Sequence, residues 1–96
     1  MSLLAIILAA AIHSSPSVAG EMCGWRDLIT ESLISKYGEA RRGVGVAGSA
    51  VIFEIWTSSK SPYTWTILKV YSTGWACVIA TGENWMWQPA VKGRPI

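Results

Sequence analysis

Few residues in this chain could do chemistry. The candidates are the carboxylates Asp27, Glu31, Glu39, Glu54 and Glu83, the cysteines Cys23 and Cys77, and a single histidine, His13. Asp27 and Glu31 stand four apart, so a helix would place both on one face. That face is the polar one, and a solvated surface accounts for it. Glu54 alternates with apolar neighbours and is expected to face solvent or a partner. No spacing here suggests the paired carboxylates that glycoside hydrolysis requires. The serines lack a histidine base, and no Ser-x-x-Lys motif is present. A non-enzymatic chain is therefore expected, with a minimal hydrolase acting through Glu31, Glu54 or Glu83 as the residual alternative. Two distant cysteines without histidine suggest no metal set, and no cofactor is expected.

Gly43-Val44-Gly45-Val46-Ala47-Gly48 spells G-x-G-x-x-G. In a dinucleotide-binding fold that motif follows a strand and opens a helix, whose N-terminus holds the pyrophosphate. Here it follows a helical pattern and runs into a strand, so it reads as a flexible strand with a glycine turn.

The compartment comes from the chain's start. Residues 3–12 (LLAIILAAAI) are apolar and uncharged, yet shorter than the roughly 20 residues a permanent membrane helix needs. Ser17 and Ala19 then supply the small-x-small pattern of a signal-peptidase site. Residues 1–19 are expected to be a signal peptide cut after Ala19, which gives a periplasmic or secreted product and removes His13; an N-terminal anchor or a buried core helix is the alternative. In an oxidising compartment Cys23 and Cys77 are expected to pair. The closed loop of about 55 residues would stabilise the fold by on the order of 4 kcal/mol.

Composition narrows the partners. A net charge of +2 spread along the chain does not suit a dedicated nucleic-acid binder. A hydrophobic share of 51% excludes intrinsic disorder.

The elements that must position these groups follow from periodicity. Trp25, Ile29, Leu33 and Tyr37 recur every four residues, with Leu28 and Ile34 widening the stripe, which predicts a helix over 25–37. Gly38 supplies its stop. Strands are predicted over 43–47, 50–57, 63–71 and 75–81, joined by turns short enough for antiparallel hairpins. If Cys77 reaches Cys23 just before the helix, the faces bearing Trp75, Cys77 and Ile79, and Tyr63, Trp65 and Ile67, point at the helix. The expected fold class is α+β: one N-terminal helix on a three- to four-stranded antiparallel meander, spanning residues 20–84. An extended C-terminal tail follows over 85–96.

Six tryptophans are the compositional surplus. Trp25, Trp65 and Trp75 fall in the expected core register. Trp56 lies on the opposite strand face from Phe53 and Ile55, and Trp85 and Trp87 follow the last strand. These last three are the expected binding surface, because tryptophan is enriched at protein contact sites and also stacks on sugars.

Several short elements together resemble a group of small exported proteins of unknown function from Gram-negative bacteria and phage-like sequences. They are Met22-Cys23, Lys36-Tyr37-Gly38-Glu39, Val44-Gly45-Val46-Ala47, Glu54, Thr64-Trp65-Thr66-Ile67, and the run from Ala76-Cys77-Val78 through Gly82-Glu83-Asn84-Trp85. The Pro/Gly tail matches too. This chain departs at Ser61-Pro62-Tyr63, where the group usually has Gly just before Thr-Trp-Thr. The resemblance implies export, the cysteine pair and the fold, and implies no reaction. The expected function is a protein-interaction module contacting an envelope or virion protein. A glycan- or peptidoglycan-binding module using Trp85, Trp87 or Trp56 is the alternative.

Overall fold

A computed structural model describes residues 22–89. The expected signal peptide, 1–19, and the end of the expected tail, 90–96, lie outside the described residues. In chain order the elements are β1 (Met22–Trp25), α1 (Arg26–Tyr37), β2 (Glu39–Ala47), β3 (Val51–Ser58), β4 (Trp65–Tyr71) and β5 (Trp75–Gly82). The strands form one antiparallel sheet in the order β1-β5-β4-β3-β2. Among the described residues the fold is α+β with one helix, as expected, but the sheet has five strands rather than three or four. The additional strand is β1, four residues that sit at an edge beside β5.

The Cys23–Cys77 disulfide is present, and it joins two neighbouring strands. Cys23 is the direct cross-strand partner of Cys77 in the β1–β5 ladder. The bridge therefore holds an edge strand to the sheet and does not itself clamp the helix.

That geometry reverses the expected inside and outside. Helix α1 covers the face bearing Ala76 and Val78 on β5, Leu68 and Val70 on β4, and Ile52 and Trp56 on β3. Leu33 of the helix closes this core, with Ile29 beside it. The face bearing Trp65, Ile67, Trp75 and Cys77 points away. The physical reason lies in side-chain size and in β1. The chain leaves β1 straight into the helix, which turns back over small residues. Ala76 is fully buried, and a Cβ on Gly24 would already stand 3.9 Å from Ile29 Cδ1. A helix could not approach as closely over paired tryptophans.

Helix α1 has no side-chain N-cap. Its first backbone N–H, that of Arg26, instead donates to the Gly74 carbonyl in the β4–β5 turn at 2.8 Å, which satisfies one of the donors left open at a helix start. Its inward face carries Arg26, Ile29, Thr30 and Leu33, while Leu28, Ile34 and Tyr37 of the expected stripe are exposed. At the other end Gly38 adopts the left-handed conformation, φ 66°, and its N–H reaches back to the carbonyl of Ile34. The predicted stop is therefore the observed one.

Candidate functional site

Glu54 is the centre of the interior. It lies on the helix side of β3, is 1% exposed, and is surrounded by donors. Arg26 brings Nη2 to 2.8 Å and Nε to 3.0 Å from Oε2. Arg41 brings Nη1 to 3.2 Å from the same oxygen. The Trp56 indole N–H donates to Oε1 at 3.0 Å. The β-bulge that skips Arg42, between Arg41 and Gly43, keeps Arg41 opposite Trp56 and within reach of this carboxylate.

Burial pushes the Glu54 carboxyl upward. The hydrogen bonds from Arg26 and Trp56, the Arg26 charge and the Arg41 bond outweigh it, leaving the group below the ordinary carboxylate range. An ionised carboxylate with donors on both oxygens has neither a proton to give nor a free lone pair well placed to take one. Its chemistry here is to hold α1 to β3. Glu31 and Glu83 are exposed, and neither shares this cluster. Among the described residues no group of three metal-ligating side chains comes together.

The tryptophans separate into three places. Trp56 is 5% exposed and belongs to the core, where its ring N–H serves Glu54. The expectation that it forms part of a contact surface is corrected: a buried carboxylate needs that donor more than the surface needs an aromatic. Trp85 is half-buried against Trp65, ring centroids 5.8 Å apart, and meets Trp87 edge-on at 5.3 Å. Trp87 projects outward, 65% exposed. The start of the tail is tied down, since the N–H groups of Asn84 and Trp85 donate to the carbonyls of Pro62 and Tyr63. Trp25 and Trp75, expected in the core, instead form an exposed edge-to-face pair at 5.1 Å.

The face away from the helix is a continuous apolar sheet surface. Phe53 pairs with Lys69, Ile55 with Ile67, Val51 with Tyr71, and Thr57 with Trp65. The residues Phe53, Ile55, Ile67 and Tyr71 are half-buried. Lys69 lays its ammonium over the Tyr71 ring at 5.3 Å. Trp65 lies across Gly82, where an added Cβ would stand 3.0 Å from the ring. Trp85 of the tail packs against Trp65 at one end of this face, and no other described strand or helix covers the rest.

On the helix side, a cleft of about 610 Å³ opens between α1 and the ends of β4 and β5. Leu28, Ile29, Leu33 and Val78 form its apolar wall, and Glu39, Thr64 and Glu83 bring polar groups to it. The inward placement of Arg26 and the burial of Glu39 were missed by sequence reasoning. One signal existed: Arg26, Thr30 and Leu33 share helical spacing, which puts a cation on the buried stripe and demands an acid beneath it.

No protein-family model, curated protein or solved structure matches this chain.

Proposed function

We propose that this chain is a small exported, non-enzymatic binding module that presents its uncovered sheet face to an envelope or virion protein. The observation that carries the reading is the half-buried surface of Phe53, Ile55, Ile67 and Tyr71, flanked by the exposed Trp25–Trp75 pair. Contiguous apolar surface rimmed by aromatics is what protein contact sites are made of. Export is supported by the apolar segment 3–12 with Ser17 and Ala19 behind it, by the disulfide, and by the likeness to small exported proteins. Among the described residues no helix is long and apolar enough to cross a membrane.

Affinity capture from the extracytoplasmic fraction tests the surface. The partner retained by the wild-type chain is expected to be lost with Ile55→Lys and with Ile67→Lys, and kept with Trp87→Ala. An unchanged set of partners in both lysine variants would overturn the reading. Intact mass of the secreted protein tests export, with a chain beginning at Gly20 and two hydrogens lighter than its reduced form as the expected result.

A second reading rests on the Trp85–Trp87 corner, where an exposed indole stands edge-on to a fixed one. Such a corner offers a stacking platform for a cell-wall glycan. Tryptophan fluorescence titrated with peptidoglycan fragments decides it, and the absence of any shift at millimolar ligand removes it.

A further inference from the structure

Two glutamates are buried on the helix side of the β2–β3 ladder, and they are treated oppositely. Glu54 receives Arg26, Arg41 and the Trp56 indole. Glu39, 3% exposed, receives none of these, and its Oε1 is fully buried with no hydrogen-bond partner among the described residues. Thr64 Oγ1 is in the same condition. Both residues line the cleft beside α1. A buried carboxylate oxygen without a donor is costly, so native proteins supply one from the chain, from water or from a ligand.

The rest of the cleft says what kind of donor fits. Its volume of about 610 Å³ falls in the range of small-molecule sites. Among the described residues, the charged side chains in its lining are Glu39 and Glu83, with no lysine or arginine. The wall opposite is aliphatic, built from Leu28, Ile29, Leu33 and Val78. Two acids at one end and a hydrocarbon wall along the other disfavour an anion and reward a cation that carries an apolar body.

We infer that this cleft binds a small organic cation, a primary ammonium on an alkyl or aralkyl body, with the ammonium donating to Glu39 and the body lying along Leu33 and Val78. Glu83 at the rim adds long-range attraction. Thr64 Oγ1 stands as a further polar contact for the head group. The site lies on the opposite side of the sheet from the proposed protein-contact face and does not depend on it.

The test uses the oxidised chain, with backbone amide NMR shifts read against hexylammonium chloride, hexan-1-ol and sodium hexanoate. Hexylammonium is expected to shift amides around Leu33 and Val78 and to bind at least tenfold tighter than hexan-1-ol, with hexanoate weakest. Glu39→Gln, nearly isosteric, is expected to bring the ammonium down to the affinity of the alcohol. Glu83→Gln should cost the ammonium two- to threefold and leave the alcohol unchanged. The near-ultraviolet circular dichroism of the core indole reports that each variant is folded. Equal binding of ammonium and alcohol by the wild-type chain would overturn the proposal, as would no binding of any probe, which would leave water as the donor. So would an ammonium preference that survives Glu39→Gln. The wild-type ranking decides alone if a variant fails to fold.

Discussion

Arg26 Nη2 stands 2.8 Å from Glu54 Oε2 and joins the first residue of the helix to the middle of β3, 28 positions later. The pair is asymmetric: the Glu54 side chain is 1% exposed and that of Arg26 26%. The helix is thus held to the sheet by a charge as well as by Leu33 and Ile29.

Removing one side of that pair leaves the other uncompensated. Glu54→Ala is expected to destabilise the fold by about 3–5 kcal/mol, because two guanidinium groups and an indole N–H lose their acceptor together. Arg41→Ala should cost far less, within about 1 kcal/mol, since its side chain is 48% exposed and solvent screens it. Urea denaturation of the oxidised chain, followed by indole fluorescence, gives both values. Equal losses in the two variants would contradict the assignment of Arg26 as the principal partner.

The same carboxylate sets the acid limb of stability. Its pKa is lowered in the folded state, so the native form holds fewer protons than the unfolded form over that interval. The stability contributed by the ion pair is fully present above the unfolded value of about 4.3. It is lost as pH falls through that value toward the lower folded one. Melting temperatures between pH 7 and pH 2 should therefore drop below about pH 4. In a folded Glu54→Gln variant that part of the decline should be absent.

Reduction should act strongly on so small a domain. The disulfide spans 54 positions, and closing a loop of that size restricts the unfolded chain by an amount worth about 4 kcal/mol. Melting with and without dithiothreitol is expected to show a large fall. The paired Cys23→Ser, Cys77→Ser variant should match the reduced wild type. In the reduced chain, hydrogen exchange should show β1 opening first, because it is short and lies at the sheet edge.

Two left-handed positions differ in sign. Gly38 sits at φ 66° and Tyr63 at φ 57°. Gly38→Ala should cost about 1 kcal/mol at the helix stop. Tyr63→Gly should be neutral or stabilising by up to about 1 kcal/mol, since relief of the left-handed strain is offset by the entropy of a freer unfolded chain. Thermal melts of the two variants should move in opposite directions or differ clearly in size.

How legible this structure is from the chain depends on the signal each element carries. The helix and its end at Gly38 follow from four-residue periodicity, and β3, β4 and β5 from dense β-branched and aromatic runs. Strand β1 carries no such signal: Met22-Cys23-Gly24-Trp25 is short, contains a glycine, and owes its place to the ladder with β5. The covered face was not legible because both faces of β4 and β5 are apolar. Trp65, Ile67 and Trp75 alternate with Thr66, Leu68 and Ala76, and alternation alone does not choose between them. The position of the helix chose, and on β5 it covered Ala76 and Val78 rather than Trp75 and Cys77. The candidate sites show the same limit. Trp85 and Trp87 were identifiable as aromatics beyond the last strand, whereas the burial of Trp56 depends on Glu54, whose own partner lies 28 residues away. Glu39 becomes notable only when β2 is seen to start against the helix end, with Ser58 opposite it.

The bridge between β1 and β5 has unequal halves, with Cys23 exposed and Cys77 only 4% so. Thiol–disulfide exchange requires an incoming thiolate to reach a sulfur in line, and Cys23 is the more exposed of the two residues. A thiolate attacking Cys23 would form the mixed disulfide there and release the thiolate of Cys77, which the β1–β5 ladder keeps opposite Cys23.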